Sequence, residues 1–378
     1  MKSDRAMAPG SHLADANATL TALGVISGTS MDGIDVACLT TDGDGALTRG
    51  PSLMHPYTDD VRALLRAAMV DAATAPTGAT RTQALAAAEA AVTVSHGNAI
   101  AALLRETGPV DLIGWHGQTV FHAPARRMTM QLGDGAALAA RFGIPVVYDF
   151  RSADVAAGGE GAPLVPAYHR AMVRAAGVAE PCAVLNLGGV ANLTLIDGER
   201  LIAFDTGPAS AMIDDQMATI GARFDENGAL AATGTVDRAA LATLLSHPFF
   251  DAPAPKSLDR DAFSAAPVAG LALPDRVATL TRFSAEAIAR GLAPHGMPGT
   301  IIAAGGGTHN ATLMRFIAEA TGAKFTTVSA IGHDPDTVEA EAFAYLAVRS
   351  QKGWPITFPG TTGIKAPLKG GVKASPRA

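Results

Sequence analysis

Residues Gly24–Leu39 read GVISGTSMDGIDVACL, two apolar runs joined by a turn of glycine, hydroxyl and carboxylate side chains. The runs predict two strands, and the Asp32-Gly33 pair is typical of a hairpin turn. A similar stretch, Ala183–Ile196, reads AVLNLGGVANLTLI about half a chain later. This repetition predicts two lobes of duplicated topology that face a cleft, although apolar strands and glycine turns recur in unrelated α/β proteins too.

Strand patterns alternate with alanine-rich helical patterns along the rest of the chain, which predicts an α/β fold. A helix is predicted over Thr337–Arg349. The predicted strands are Leu23–Ser27, Ile34–Thr40, Leu112–Trp115, Val146–Phe150, Ala183–Leu187, Leu193–Ile196, Ile202–Asp205, Thr300–Ala304 and Phe325–Val328.

Composition excludes several classes of protein. With 378 residues, of which 48% are hydrophobic, the chain can bury more than one core. A net charge of −6 and an aromatic content of 5% argue against a nucleic-acid partner. Two cysteines, Cys38 and Cys182, are too few for a disulfide scaffold or a cysteine zinc site, and both lie in apolar runs, as buried thiols of a reducing compartment do.

The chain divides into four predicted regions. Residues 1–20 lack an apolar signal segment and are predicted to form a loose leader, and residues 365–378 are predicted to form a disordered basic tail. The N-terminal lobe is expected over 21–150 and the C-terminal lobe over 151–364. No apolar stretch is long enough to cross a bilayer, so we expect a cytoplasmic protein with no membrane partner.

The turn SGTSMDGID predicts a phosphate site. Glycines allow backbone N–H groups to approach an anion, and Thr29 and Ser30 add hydroxyl donors. Asp32 could hold Mg²⁺ directly or through water. The alternative is a plain hairpin turn, but two glycines, three hydroxyls and two carboxylates exceed what a turn requires.

Two further glycine clusters could approach a ligand. Gly188 and Gly189, in LGGVAN, predict either a second phosphate turn from the opposite lobe or a glycine bulge. Gly305–Asn310, GGGTHN, follows a strand and precedes a helix. It fits a nucleoside lying against the backbone as well as it fits a flexible turn with Asn310 as the helix N-cap.

Charged and polar side chains cluster after three strands. Asp205, in FDTGP, lies at a strand end where α/β ligands bind, although a turn acid or helix cap would look the same. His116 and Gln118, in HGQTVFH, are not followed by a carboxylate at ligand spacing, so no zinc site is predicted. Asp149, Arg151 and Asp154 suit either sugar recognition or a structural ion-pair network.

These motifs together resemble the anhydro-N-acetylmuramic acid kinases. The strings SGTSMDGID, HGQTVFH, QLGD, DFRSADVAAGGEGAPLVPAYH, LNLGGVANLT, FDTGP, APKS, GGGTHN and VEAEAFAYLA occur in the family's order across roughly residues 23 to 349. The resemblance implies two ribonuclease-H-like lobes around a central ATP cleft, as in the sugar kinase, heat-shock chaperone and actin superfamily. It implies that ATP and water convert 1,6-anhydro-N-acetylmuramic acid to N-acetylmuramic acid 6-phosphate in peptidoglycan recycling, with Mg²⁺ as cofactor and a possible homodimer.

The resemblance also assigns roles to residues. It makes Asp205 the catalytic base and Glu339 a second acid near the site, although Glu339 suits a solvated helix position equally well. The expected sugar site holds His116, Gln118, Asp149, Arg151 and Asp154. The expected ATP site holds Gly28, Thr29, Ser30, Met31, Asp32, Gly33, Ile34, Asp35, Gly188, Gly189, Gly305, Gly306, Gly307 and Asn310, with Asp32 as the metal ligand.

The sequence departs from the family pattern at two places. The family usually reads DTGPGN where this chain has Ala209 and Ser210, and it usually has Gln where Glu160 stands. These changes leave room for another 1,6-anhydrosugar, such as levoglucosan, as the substrate. A non-catalytic nucleotide-binding regulator is a further alternative, but it would need neither Asp205 nor the His116-Gly-Gln motif.

Overall fold

The structure is a computed structural model that describes residues 18–28, 30–74 and 82–376. Its strands are β1 Leu20–Ser27, β2 Gly33–Thr41, β3 Leu47–Pro56, β4 Leu112–Ala123, β5 Met128–Leu132, β6 Val146–Tyr148, β7 Cys182–Leu187, β8 Val190–Asp197, β9 Arg200–Pro208, β10 Thr300–Ala304, β11 Lys324–Thr327 and β12 Val372–Ala374. Its helices are α1 Asp59–Thr74, α2 Gln83–Thr107, α3 Gly135–Phe142, α4 Ser152–Ala156, α5 Pro166–Ala175, α6 Ala211–Ala218, α7 Ala229–Thr233, α8 Arg238–Leu245, α9 Leu273–Leu292, α10 Ala311–Thr321, α11 Val338–Gln351 and α12 Pro359–Thr362.

The two sheets have the same strand order, which confirms the predicted duplication. In the first, β1, β2 and β3 form an antiparallel meander, and β4 and then β6 add in parallel beside β1. In the second, β7, β8 and β9 form the meander, and β10 and then β11 add beside β7 in parallel. Only the first sheet carries the additional strands β5 and β12.

Three hydrophobic layers hold the sheets together. One face of the first sheet packs against α1, α2 and α3, and one face of the second packs against α9 and α10. Between the two sheets, side chains of α5 and α11 form a shared core with residues of both lobes. Because the lobes share this layer, each one stabilises the other through burial of apolar surface.

Helix α11 lies against the first sheet although its sequence belongs to the second half of the chain. Gly24 and Gly114 make this packing possible, since a Cβ at Gly24 would lie 1.8 Å from the Ala340 carbonyl oxygen and one at Gly114 would lie 2.1 Å from that of Phe343. No larger residue fits at either position without moving the helix backbone. This close approach fixes the N-terminal end of α11 at the cleft.

The predicted disordered tail is wrong for the part that the structure describes. Val372–Ala374 form β12, which pairs antiparallel with Val146–Tyr148 of β6. The Ser350 hydroxyl also donates to the Gly370 carbonyl at 2.6 Å. Backbone hydrogen bonds at a sheet edge do not require an apolar sequence, so the lysine-rich composition gave no sign of this strand. At the other terminus, β1 begins at Leu20, and most of the predicted leader lies outside the described residues.

Candidate active site

A cleft of about 810 Å³ lies between the two lobes, and both lobes line it. It opens at the carboxyl ends of the parallel strands, where ligands of α/β proteins bind. The cleft brings together several of the predicted site residues, which are Asp35, Arg151, Asp205, Gly305, Gly306 and Glu339.

Polar side chains form a row across the end of the second sheet. Asn186 of β7 pairs with Asn192 of β8, and Asn192 pairs in turn with Asp205 of β9. All three residues line the cleft. Cross-strand partners lie side by side on one face, so the strand register itself assembles this row of two amides and one carboxylate.

Asp205 is held by the loop that follows α8 and lies beside β9. Its backbone N–H donates to the Lys256 carbonyl at 2.9 Å, and its Oδ2 accepts from the Leu258 N–H at 2.7 Å. Burial raises the pKa of this carboxyl to about 6, although the Leu258 hydrogen bond acts in the opposite direction. Such a group is ionised at neutral pH and is a stronger base than an ordinary aspartate, as general-base catalysis requires.

Glu339 lies in the first turn of α11 and faces the cleft. Glu339 is exposed to the solvent, but the surrounding protein still partly desolvates its carboxyl. This partial burial raises the pKa of the Glu339 carboxyl, while the positive charge of Arg151 lowers it. Both predicted acids therefore reach the cleft, Glu339 from the helix on the first sheet and Asp205 from the second sheet.

Arg151 reaches the cleft, whereas His116 lies behind it. The Arg151 Nε–H donates to His116 Nε2 at 2.8 Å, and its Nη1 donates to the Gly161 carbonyl at 2.7 Å. Burial and the adjacent Arg151 charge hold the pKa of His116 well below its usual range, so the ring is neutral. Burial lowers the pKa of Arg151 to about 10, which leaves the guanidinium charged at neutral pH.

The four other residues of the predicted sugar site lie outside the large cleft, and one of them, Gln118, is buried. His116 and Asp149 line a separate cavity of about 210 Å³. Asp154 is 1% exposed and accepts hydrogen bonds from the Gly161 N–H and the Thr362 hydroxyl, each at 2.7 Å. Asp154 is therefore held by hydrogen bonds to the protein itself, and neither of them is an ion pair.

In the first predicted phosphate turn, Gly28 and residues 30–33 are not among the residues that line the cleft, and Thr29 is outside the described residues. Gly28, Ser30 and Asp32 are exposed, and the Met31 N–H donates to the Gly28 carbonyl at 3.2 Å. Met31 adopts a positive φ of 58°, which few residues other than glycine do, so the turn is tightly bent.

Strand β2 begins immediately after this turn and takes in the last three residues of the predicted motif. Gly33 and Ile34 are buried, and the Ile34 side chain belongs to the core rather than to the cleft. Asp35 lines the cleft, and burial raises the pKa of its carboxyl to about 6, with further contributions from the negative charges of Glu339 and Asp336.

The two glycine clusters of the second lobe, Gly188–Gly189 and Gly305–Gly307, differ in the groups that they contact. The carbonyls of Gly188 and Gly189 accept backbone N–H groups at the start of α6, from Ser210 to Gly188 at 3.0 Å and from Ala209 to Gly189 at 2.9 Å. Neither Ala209 nor Ser210 lines the cleft, whereas Glu160, the other departure from the family pattern, does.

The strand-to-helix glycines lie against the end of β7. Gly305 has a φ of +84°, and a Cβ there would meet Asn186 Oδ1 at 2.6 Å. Gly306 has no atom within 4 Å of such a Cβ, and Gly307 is buried. Asn310 is the N-cap of α10, with its Oδ1 accepting the Leu313 N–H at 2.8 Å, as the helix-cap alternative predicts.

Several cleft residues were not assigned a role from the sequence. Asn186 and Asn192 lie within a quoted motif, but only its glycines were given a role. Lys256 and Ser257 belong to the motif APKS, for which no function was inferred. Asn186 and Asn192 alternate with apolar residues along their strands, and Lys256 and Ser257 lie in the loop whose backbone contacts Asp205. These were the two features by which the sequence could have identified them.

The described residues hold no group of three or more histidine, cysteine, aspartate or glutamate side chains arranged to bind a metal ion. Asp32 is one exposed carboxylate beside the first turn. A single carboxylate suits a magnesium ion that the phosphates of a nucleotide carry and that keeps most of its water ligands. Among residues 18–28, 30–74 and 82–376, no helix is long and apolar enough to span a membrane.

Comparison with known proteins gives one family. The family model for anhydro-N-acetylmuramic acid kinase matches residues 20–374. An anhydro-N-acetylmuramic acid kinase of Rhizorhabdus wittichii is 52% identical over 369 residues, which cover 94% of this chain and 99% of the relative. Enzymes of the same name from Rhodopseudomonas palustris and Methylobacterium nodulans are each 48% identical to this chain. Each match covers 94% of this chain and 100% of the relative.

Proposed function

Because this chain belongs to the anhydro-N-acetylmuramic acid kinase family, we propose that its cleft carries out the ring opening and phosphorylation of 1,6-anhydro-N-acetylmuramic acid. The products are N-acetylmuramic acid 6-phosphate and ADP. The observation that carries the proposal is Asp205, a partly buried carboxylate with a raised pKa at the wall of an interlobe cleft.

The chemistry of the substrate requires a base as well as a phosphoryl donor. Its O6 is bonded to the anomeric carbon, so there is no free hydroxyl to phosphorylate. Water must attack the anomeric carbon while the bond from that carbon to O6 breaks. O6 then bonds to the γ-phosphorus of ATP, the bond from that phosphorus to the β–γ bridging oxygen breaks, and ADP leaves.

Asp205 is the group that takes the proton from the attacking water. Its Oδ2 is occupied by the Leu258 N–H, and the described residues give Oδ1 no hydrogen bond, which leaves Oδ1 for water. A base whose pKa lies near 6 is ionised at neutral pH and still accepts a proton readily.

The nucleotide is proposed to lie across the carboxyl ends of both sheets. We expect the first turn, Gly28 to Asp32, and the second turn, Gly188 and Gly189, to approach its phosphates from opposite lobes. Gly305 and Gly306, which line the cleft, are expected to face its nucleoside. Mg²⁺ supplies neutralisation of phosphoryl charge in this class of reaction. Asp32 is the proposed residue that holds the ion.

Arg151 favours the muramic acid derivative over levoglucosan as the substrate. The muramic acid carries a carboxylate, whereas levoglucosan has no charged group. Arg151 is a charged guanidinium at the cleft wall, and two of its nitrogens are already fixed by His116 and Gly161. A guanidinium held in this way pairs well with a carboxylate.

The experiment that tests the proposal measures ADP formation from ATP with anhydromuramic acid, levoglucosan or muramic acid, and identifies each product by mass. The expected result is turnover with anhydromuramic acid. In ¹⁸O-labelled water, the label should enter the anomeric oxygen and not the phosphate. Label in the phosphate would mean that water attacks phosphorus, and turnover with levoglucosan alone would replace the proposed substrate.

A further inference from the structure

A set of buried polar side chains lies directly behind the first turn and away from the large cleft. The set, called here the turn-support network, consists of Ser27, Tyr57, His96, Trp115 and Gln118. None of the five is more than 2% exposed. Polar groups buried to this degree cost free energy unless each is hydrogen-bonded, so the bonds between them must be specific.

In this network each hydrogen bond has a definite donor, in the order Trp115, His96 and Tyr57. The indole N–H of Trp115 can only donate, and it lies 2.7 Å from His96 Nδ1, which must therefore accept. A neutral imidazole then carries its proton on Nε2, which lies 2.6 Å from the Tyr57 hydroxyl and donates to it. The Tyr57 hydroxyl donates onward to Ser27 Oγ at 3.1 Å or to Gln118 Oε1 at 3.3 Å.

Burial supports this proton arrangement. Burial, with a smaller contribution from His55, lowers the pKa of His96 to about 3. The ring is therefore neutral across the physiological range and holds a single tautomer, fixed by Trp115. A neutral, fixed imidazole fits a positioning role rather than proton transfer.

The network ends on the carbonyl groups at both ends of the first turn. The Gln118 side-chain amide donates to the Gly28 carbonyl at 3.1 Å. The Tyr57 backbone N–H donates to the Asp32 carbonyl at 3.2 Å. Tyr57 thus holds one end of the turn through its backbone. Its hydroxyl reaches the other end through Gln118 when it donates to Gln118 Oε1 rather than to Ser27 Oγ.

We propose that His96 is a positioning residue for the nucleotide: acting through Tyr57 and Gln118, it fixes the backbone of the first turn in the shape that receives the phosphates of ATP. His96 itself touches neither substrate. The inference rests on the proposed function only in taking ATP as the ligand of this turn. Positioning errors of about 1 Å at a reacting group can cost 10²-fold in rate, so such a support has a measurable effect.

Tyr57→Phe is the decisive variant, because it removes one hydroxyl from the network and keeps the ring. We expect kcat/KM for ATP and the calorimetric affinity for MgATP each to fall about tenfold, with KM for the sugar within about twofold of wild type. The matched control is Tyr345→Phe, which loses a buried hydroxyl that donates to the Asp44 carbonyl. The proposal would be overturned if kcat/KM for ATP and the affinity for MgATP of Tyr57→Phe lay within about twofold of those of Tyr345→Phe.

His96 is tested by a pair of substitutions and by its own spectrum. His96→Leu should match Tyr57→Phe, and His96→Gln, whose amide can both accept and donate, should recover part of the affinity for MgATP. Imidazole ¹⁵N signals should show a protonated Nε2 and a bare Nδ1 that do not titrate between about pH 5 and pH 9. A His96 that titrates in this range, or equal MgATP affinity in the Leu and Gln variants, would contradict the assigned role.

The affinity for MgATP separates this inference from the proposed function. Calorimetry requires no sugar, so a wild-type protein that fails to turn over anhydromuramic acid still reports on the turn. If MgATP binds and Tyr57→Phe weakens that binding, the support role stands even where the sugar assignment fails. If wild-type protein binds no MgATP, both fail together.

Discussion

The turn that joins the first two strands of each sheet arises from the same strand topology in both lobes but is held in different ways. The first is fixed at Gly28 by the side-chain amide of Gln118 and at Asp32 by the backbone N–H of Tyr57, both of which belong to a buried side-chain network. The second is fixed by backbone N–H groups of the segment that opens α6, which donate to the carbonyls of Gly188 and Gly189. Duplication has therefore preserved the position of the turn in each lobe but not the groups that hydrogen-bond to its carbonyls. Side-chain substitutions should therefore disturb the first turn more readily than the second.

The chemistry is also divided unequally between the lobes. Asp35 in β2 and Asn192 in β8 occupy equivalent register positions, each opposite the last part of the first strand of its sheet. On the third strand the equivalent residues are Met54 and Asp205. Met54 is 61% exposed, whereas Asp205 lines the cleft. The proposed base thus comes from the second lobe, and the first lobe carries the proposed first phosphate turn and the cleft carboxylate of Asp35.

The largest expected effect follows removal of this base. Asp205→Asn should lower kcat by about 10²–10⁴, the range for loss of a general base, with little change in MgATP affinity. The asparagine oxygen can still accept the Leu258 N–H, and the variant no longer buries a charge, so the melting temperature should not fall. Asp197→Asn, an exposed position on the same sheet, is the control. Near-normal turnover of Asp205→Asn would move the base to another residue, with Glu339 and Asp35, which also line the cleft, the next candidates.

Loss of the proposed metal-binding acid of the first lobe, Asp32, should matter less. Asp32→Ala is expected to lower Mg²⁺-dependent turnover by at least about tenfold, because metal neutralisation of phosphoryl charge is a large contribution to this reaction. The loss should shrink as the Mg²⁺ concentration rises. Asp44→Ala, at the opposite end of the same strand pair, should have no such dependence. Wild-type turnover of Asp32→Ala at low Mg²⁺ would remove the proposed metal role.

The pH profile provides a test without mutation. The pKa of Asp205 is about 6 and the base must be ionised, so kcat/KM should fall as pH drops below 6, approaching about tenfold per pH unit. Above pH 7 this group should cause no further change. Asp205→Asn should lose the acidic limb of the profile. If kcat/KM of Asp205→Asn still fell at acidic pH, that fall would be assigned to another acid, such as Asp35, whose pKa is also about 6.

The smallest effect is expected from adjacent glycines of the second lobe. Gly305→Ala should destabilise the protein by about 1–3 kcal/mol, because it has a positive φ and its Cβ would collide with Asn186. Gly306→Ala has open space around it, so the melting temperature should be unchanged while KM for ATP rises a few-fold. Thermal denaturation and ATP titration of the pair separate the two effects. An unaltered KM for ATP in Gly306→Ala would place the nucleoside elsewhere.

The sequence predicted the fold well where the pattern is local. Each duplicated hairpin is a short stretch whose apolar strands and glycine turn are visible together, and both occur in the structure. The edge strands β3 and β5 were missed. Strand β3, LTRGPSLMHP, is mostly exposed and needs no apolar alternation, since it pairs along one edge only.

The site was predictable only in part, for a related reason. Asp205, Glu339, Arg151 and Asp35 were singled out within motifs, and all four reach the cleft. His96 was not, because a histidine in an alanine-rich helix carries no local signal. Its partners Tyr57 and Trp115 lie 39 and 19 residues away in the chain. Such a role appears only once the fold has brought the partners together.

The docking of α11 on the first sheet has a consequence for the order in which the protein is made. The ribosome releases the strands of the first lobe early, but their inner face is covered by α11, and β6 gains its partner β12, only after most of the second lobe has been synthesised. Until then, the first sheet exposes the apolar surface around Gly24 and Gly114. Domains usually fold in order as they emerge, but here the N-terminal half must wait for the C-terminal half. The first lobe therefore reaches its full burial of apolar surface only when the second lobe is present.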